Sequence, residues 1–157
     1  IATTAYNWLG LHRSPAADSP TALRLLHFPD ERIADWAYAV LSSDLTYWLW
    51  RVEGDGFHVP AAFVDRLPFE WSGSPEDHRL ADQGRLLWAH AKASPVHAVN
   101  GGRATTSFRA QDSQLQRTLT ANVLAGLGVP QSLATMLRAY VESLVAAGRT
   151  RPVDEES

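Results

Sequence analysis

Residues 42–59, SSDLTYWLWRVEGDGFHV, decide the fold of this 157-residue chain. Apolar residues recur at helical spacing through the first part of the stretch, and the glycines at 54 and 56 interrupt them. Upstream, Asp30 is a favourable capping residue that precedes the same apolar pattern. The spacing therefore predicts one long helix from residue 31 to about residue 50, ended by a tight glycine turn.

Capping and turn residues divide the rest of the chain. Ser74 followed by Pro75 and two acidic residues predicts the start of a helix, which Pro95 ends. Residues 96–108, VHAVNGGRATTSF, hold Asn-Gly-Gly between two β-compatible runs and predict a glycine-hinged hairpin or loop. Apolar spacing predicts two further helices, which end near residues 127 and 147.

Short strands are expected over residues 1–11, 23–28 and 57–59, and a short helix over residues 60–66. The predicted fold class is α+β, predominantly helical, with four main helices, a small number of short strands and one glycine-hinged hairpin. A single domain is expected over residues 1–148, followed by a polar tail over 149–157. Because the chain begins with Ile1 rather than Met, we expect it to be a fragment of a longer chain.

The composition limits the classes of protein to which the chain belongs. There are 6 Trp and no Cys. The lack of Cys excludes disulfides, thiolate metal sites and a cysteine nucleophile, and it favours a reducing compartment. No apolar run reaches the ~20 residues that a membrane-spanning helix needs, so no membrane partner is expected. We therefore expect a cytoplasmic location.

Charge is segregated along the sequence, although the net charge is only −3. Residues 28–82 contain 11 acidic and 4 basic side chains, whereas residues 85–121 contain five basic side chains and one acidic. A basic surface of limited extent can contact phosphates even when the whole protein is acidic. The alternative is ordinary variation in solvated surface charge.

No catalytic residue is predicted, because the usual motifs are absent. The sequence lacks the Gly-x-Ser-x-Gly of a serine nucleophile, the glycine-rich lysine loop that binds phosphate, and a His-Glu-x-x-His pair. Asp55 with His58, and Asp77 with His78, are partial metal sites at best, so no metal ligand is predicted. The chain also has no Pro-Pro dipeptide, which the Asp/Asn-Pro-Pro-aromatic turn of adenine amino methylation requires.

Several short segments, taken in order, resemble one known family. They are LSSDLTYWLW at 41–50, GDGFHV at 54–59, LPF at 67–69 and NGGR at 100–103. This order is similar to the region after the catalytic domain in adenine-specific (N6) DNA methyltransferases and fused restriction-modification enzymes. In that family a helix ends leu-asn-ser-x-leu-phe-tyr-trp, and a glycine turn and ile-pro-phe follow. Ser42 stands where the family often has Asn.

The resemblance implies a function and a missing domain. It implies a non-catalytic target-recognition module for double-stranded DNA, within an enzyme of restriction-modification or phage defence. The S-adenosylmethionine cofactor and the catalytic residues would belong to a methyltransferase domain upstream of residue 1, and no cofactor is expected in this chain.

Two sets of residues are candidates for DNA contact. The hairpin offers glycines for close approach, polar groups for phosphate and arginines for guanine. Its candidates are Asn100, Gly101, Gly102, Arg103, Thr105, Thr106, Ser107 and Arg109. In the turn, Gly56 would let the backbone approach DNA while Asp55 and His58 contact a base or phosphate. The alternatives are a plain surface hairpin and a turn that merely ends a helix.

The aromatic residues support a second interpretation, from a different class of function. Trp36 and Trp48 lie on the predicted helix stripe and suit the core, whereas Tyr47 and Trp50 fall off it. These two either pack on a catalytic domain or partner subunit, or are buried by the next loop. In the first case the chain is a Trp-rich protein-interaction module that never contacts DNA.

Overall fold

The computed structural model describes residues 1, 9–13, 24–100, 103–108 and 114–149 of the chain. Its helices are α1 (Glu31–Leu41), α2 (Asp44–Glu53), α3 (Ala61–Asp65), α4 (Pro75–Ala93), α5 (Gln114–Gly126) and α6 (Gln131–Arg149). Strands β1 (Val96–Asn100) and β2 (Arg103–Ser107) lie between α4 and α5. Within these ranges, no helix combines the length and apolar character needed to cross a membrane.

The α+β class predicted from the sequence is wrong, because the architecture is all-α. The described residues form six helices, rather than four main helices and a short one. The strands expected over residues 1–11, 23–28 and 57–59 do not form among the described residues of those ranges, where His58 makes only an isolated bridge; residues 2–8 and 23 lie outside the described part of the chain. Among the described strands, β1 pairs with β2 alone, antiparallel, from Val96 opposite Ser107 to Asn100 opposite Arg103. The two strands form a narrow ribbon. They do not form a broad sheet that helices cover.

The long helix predicted over residues 31–50 is two helices, because Ser42 and Ser43 interrupt it. Ser42 ends α1, and Ser43 has an extended backbone (φ −72°, ψ 152°) and caps α2. The Thr46 N–H donates to Ser43 Oγ at 3.3 Å. The Ser43 and Thr46 hydroxyls both donate to the Val40 carbonyl, at 2.7 and 2.6 Å. Ser43 is a favourable helix-capping residue, but the apolar spacing continues on both sides of it and predicts an uninterrupted helix.

The break between α1 and α2 is buried, so its polar groups need partners from another element. The Asp44 backbone N–H donates to Thr120 Oγ1 at 3.0 Å, and Gln116 Nε2 donates to Asp44 Oδ1 at 2.6 Å. Gln116 Nε2 also lies 3.3 Å from the Ser42 carbonyl oxygen. All three side chains, of Asp44, Gln116 and Thr120, are buried. These hydrogen bonds fasten α5 to the break.

Helices α1 and α4 pack closely where α4 carries Gly84. A methyl group added there would overlap the Asp35 carbonyl and approach Ala39 Cβ to 3.1 Å. Ala39 of α1 and Leu87 of α4 are fully buried in this contact region of the core. The absence of a side chain at Gly84 therefore allows the two backbones to approach each other.

Gly84→Ala should destabilise the fold, since the added methyl group overlaps backbone that cannot move freely. We expect the free energy of unfolding to fall by about 1–3 kcal/mol, as for other overpacked sites. Gly126→Ala is the matched control, because a Cβ at Gly126 meets no atom within 4 Å; it should be neutral or stabilising by up to about 1 kcal/mol. Urea denaturation followed by circular dichroism measures both, and equal stabilities of the two variants would contradict the packing.

Gln116→Leu should also destabilise the fold, because it removes the side-chain donor to the buried Asp44 carboxylate. The expected loss is about 1–3 kcal/mol, the cost of removing one hydrogen bond from a buried polar group. Gln114→Leu changes the same residue type at an exposed position of α5 and should alter stability by at most about 0.5 kcal/mol. Thermal or urea unfolding of the pair provides the comparison, and a Gln116→Leu variant as stable as the unchanged chain would rule out this contribution.

Candidate nucleic-acid interface

The glycine turn after α2 is held together by its own side chains. Asp55 Oδ1 accepts hydrogen bonds from the Phe57 and His58 N–H groups, at 2.8 and 2.7 Å. Asp55 Oδ2 lies 2.5 Å from His58 Nδ1. Gly56 has a φ of +75°, a conformation that favours glycine. Hydrogen bonding within the turn thus explains the presence of Asp55, Gly56 and His58 without a DNA ligand.

Asp55 carries a negative charge at neutral pH. Hydrogen bonds from the His58 side chain and then from the His58 and Phe57 N–H groups lower the pKa of Asp55 to about 2. Its side chain is 54% exposed, so a carboxylate faces solvent at this turn. Because an exposed carboxylate repels phosphate, the charge argues against this turn as a phosphate contact.

Tyr47 and Trp50 are buried inside the chain. Trp50 is fully buried and Tyr47 is 5% exposed. Trp50 Nε1 donates to the His58 carbonyl at 2.7 Å, so the loop after α2 covers the indole. The interface role expected for these two residues is therefore corrected: their side chains pack in the core, where another domain cannot reach them. Trp36 is also in the core, and Trp48 packs partly buried against it.

The ribbon is anchored to the helices at its base. The Phe108 ring, just after β2, meets Trp88 of α4 edge-on, with ring centroids 5.0 Å apart. Phe108 also meets the His12 ring at 5.3 Å, and Trp88 meets Tyr38 of α1 at 5.6 Å. Edge-to-face ring contacts contribute stability beyond burial alone. The ribbon therefore leaves the helices from a fixed point on α4.

The hairpin residues that are candidates for DNA contact lie at different positions along the ribbon, according to its register. Asn100 lies opposite Arg103 at the tip, and Thr105 is two positions further along β2. Thr106 is 8% exposed, with its Oγ1 3.2 Å from His97 Nδ1, so the protein itself holds this hydroxyl. Three other candidates, Gly101, Gly102 and Arg109, lie outside the described residues.

Positive charge is concentrated next to the ribbon. From Arg85 to Gln111 the sequence contains no acidic residue. This segment, which we call the acid-free segment, covers the second half of α4 and the whole ribbon. Arg85, His90 and Lys92 are exposed on α4. Lys92 also lies in the last turn of α4, where its positive charge interacts favourably with the helix dipole.

Four arginines in the preceding part of the chain are paired with carboxylates, and Arg85, the first residue of the acid-free segment, itself lies 3.5 Å from the Asp82 carboxylate. The pairs are Arg13 with Asp35 at 2.8 Å, Arg32 with Asp82 at 3.1 Å, Arg66 with Glu53 at 3.4 Å and Arg79 with Glu76 at 3.3 Å. Their charges are largely neutralised at short range. The acid-free segment is therefore the part of the described chain best suited to contact an anionic partner.

No metal site accompanies this surface: among the residues that the structure describes, no group of three or more His, Asp or Glu side chains is placed to hold a metal ion. Comparison with known proteins returns no match, whether to a family model, to a curated protein or to a solved structure. A functional proposal therefore rests on the residues of the chain itself.

His58→Gln should raise the pKa of Asp55, because the largest cause of the lowered value is the hydrogen bond from the His58 side chain. In the unchanged protein, the stability contributed by Asp55 is present above its ordinary pKa of 3.8 and is lost as the pH falls through about 2. Carboxyl ¹³C shifts followed by NMR give the pKa directly. A value close to 3.8 in the folded, unchanged protein would contradict the geometry of the turn.

Proposed function

We propose that the chain is a target-recognition module for double-stranded DNA. It would be part of an S-adenosylmethionine-dependent adenine DNA methyltransferase in restriction-modification or phage defence. The observation that carries the proposal is the two-stranded ribbon, anchored by Phe108 and placed within the acid-free segment. The segments at 41–50, 54–59 and 67–69, which resemble that family in their order, support the choice of class.

A two-stranded ribbon has dimensions suited to DNA recognition. The major groove of B-DNA is about 12 Å wide and admits such a ribbon. Arg103 begins β2 beside the tip of the ribbon, the part that would enter a groove first. In this arrangement Arg103 and Arg109 bind guanine or phosphate, Asn100 and Thr105 contact base edges or backbone, and Gly101 and Gly102 permit close approach. Thr106 remains on the protein side of the ribbon.

The proposed module selects DNA and performs no chemistry. The methyl donor, S-adenosylmethionine, and the turn that holds the flipped adenine belong to the methyltransferase domain proposed upstream. Trp88 of α4, which packs against Tyr38 of α1, supports the ribbon at Phe108. A cytoplasmic location is part of the same proposal, because the substrate of such an enzyme is DNA inside the cell.

A docking module is the second candidate function, and one feature of α6 favours it. Leu133, Met136 and Tyr140 recur at helical spacing on α6 and are 51%, 68% and 45% exposed. Leu137 and Val141 of the same helix are buried in the core. Apolar residues on two faces are typical of a helix that packs on both sides. Under this candidate, a catalytic domain or partner subunit would cover the exposed face of α6.

DNA binding by the chain should weaken steeply with salt. We expect log K to fall linearly with log salt concentration, with a slope of about −0.9 for each phosphate contacted. Replacing both Arg103 and Arg109 by Ala should lower affinity for a random-sequence duplex by about ten-fold or more. The slope should become shallower by about one for each arginine that contacts phosphate. Fluorescence anisotropy from about 50 to 200 mM salt measures affinity and slope together.

Arg79→Ala is the matched control for this experiment, because Arg79 is exposed and lies in the acidic part of the chain, paired with Glu76. Its affinity and salt slope should equal those of the unchanged chain. Equal losses in the control and in the ribbon variant, or no loss in the ribbon variant, would exclude the ribbon as the DNA contact. An unaffected ribbon variant would favour the docking candidate.

A further inference from the structure

A groove lies between α1, the start of α4 and the C-terminal end of α5, and we call it the α4–α5 groove. Its apolar lining is formed by Trp36, Val40, Phe69, Leu80, Val123 and Leu127. The cavity volume of the groove is about 340 Å³, near the lower end of the range of about 300–1,000 Å³ for ligand sites. Leu127 is 42% exposed, so part of this apolar surface is open to solvent.

Among the described residues, every charged side chain that lines the α4–α5 groove is acidic. Glu70 and Glu76 are exposed, and Asp77 is buried in its wall. The Glu76 carboxylate meets Arg79 at 3.3 Å along the helix, but Arg79 does not line the groove. Gly126 brings the C-terminal end of α5 to the groove, which adds the negative pole of a helix dipole. The potential in the groove is therefore negative.

Asp77 keeps its negative charge because hydrogen bonds at the N-terminal cap of α4 stabilise its carboxylate. Burial opposes ionisation of Asp77, but hydrogen bonds from Ser72 and Ser74 outweigh burial and lower the pKa of this carboxyl. Asp77 Oδ2 accepts from Ser72 Oγ at 2.7 Å, from the Ser72 N–H at 2.9 Å and from the Ser74 N–H at 3.2 Å. The carboxylate therefore stays ionised at neutral pH as part of the wall.

Trp36 adds a hydrogen-bond donor to this acidic and apolar surface. The residue lines the groove and is 8% exposed, and its Nε1 has no hydrogen-bond partner among the described residues. Trp71 holds the indole edge-on, with ring centroids 5.8 Å apart. A buried N–H without an acceptor is costly, so a ligand carbonyl that reached Nε1 would bind favourably.

We propose that the α4–α5 groove binds a peptide segment of a partner protein in which apolar side chains are flanked by Lys or Arg. The apolar floor receives the apolar side chains, and Glu70 and Glu76 attract the flanking cations. A backbone carbonyl of the segment accepts from Trp36 Nε1 when the side chains that cover this buried atom move aside. This proposal does not depend on DNA recognition, since a negative groove repels nucleic acid.

Gly126 provides a way to fill the groove without disturbing the fold. It lines the groove at the end of α5, and a Cβ built on it meets no atom within 4 Å. Gly126→Leu should therefore occupy the space that the peptide needs. Ala139→Leu is the matched control, because it adds a similar volume at an exposed position of α6. Glu70→Gln with Glu76→Gln removes the rim charges while leaving the shape unchanged.

Fluorescence anisotropy with three labelled peptide pools tests the proposal. The first pool has Leu or Phe flanked by Lys or Arg, the second has the same apolar residues flanked by Asp or Glu, and the third keeps the basic residues but replaces the apolar ones by Ser. Only the first pool should bind. Gly126→Leu should weaken this binding by about ten-fold or more, and the double Glu→Gln variant by about five-fold. Ala139→Leu should leave it unchanged.

Several results would overturn the proposal. One is no binding of the first pool; another is equal binding of the first pool and either of the others. A third is a folded Gly126→Leu variant, shown by circular dichroism and thermal unfolding, that binds as tightly as the unchanged chain. If sedimentation shows that the chain forms dimers and that Gly126→Leu dissociates them, the groove binds a second copy of the chain and not a partner peptide.

Discussion

Hydrogen bonds from α5 to the buried break between α1 and α2 fix the position of α5 against these two helices. Asp44 is buried at the break, and Gln116 and Thr120 provide hydrogen-bond partners for its carboxylate and its backbone N–H. These contacts join residues 72 and 76 positions apart in the chain, so α5 docks in one register. The position of α5 in turn sets one wall of the α4–α5 groove. The position of α5 also fixes where the chain begins the next helix after the ribbon.

Local signals in the sequence predicted local structure correctly. Asp30 caps α1 by accepting from the Ile33 N–H at 2.9 Å, and Ser74 with Asp77 forms a capping box at the start of α4. The fold class failed for a non-local reason. Strand propensity depends on a neighbouring strand to pair with; in the described structure Arg24 exchanges backbone hydrogen bonds with Ile1, but residues 25–28 form no strand. The break at Ser43 was missed because apolar spacing continues on both sides of it.

The same break explains why the roles of the aromatic residues were misassigned. A helix that stops and restarts changes the direction in which its later residues point, so a stripe extrapolated from α1 does not apply to α2. Tyr47 and Trp50 thus fell off the predicted stripe, yet both are buried. The inward placement of Thr106 was equally unpredictable, since it depends on how the ribbon packs. The tip at Asn100 and Arg103, by contrast, follows from Asn-Gly-Gly in the sequence.

Opposite charges lie on different parts of the chain, with the ribbon in the acid-free segment and carboxylates at the glycine turn and the α4–α5 groove. This separation makes the ribbon the proposed contact with DNA and leaves the glycine turn with a structural role. Photo-crosslinking tests that distinction most directly. With benzoylphenylalanine in place of Thr105 or Phe57, duplex DNA should crosslink to the chain from position 105 and not from position 57. Crosslinking from position 57 alone, or from neither position at low salt, would contradict it.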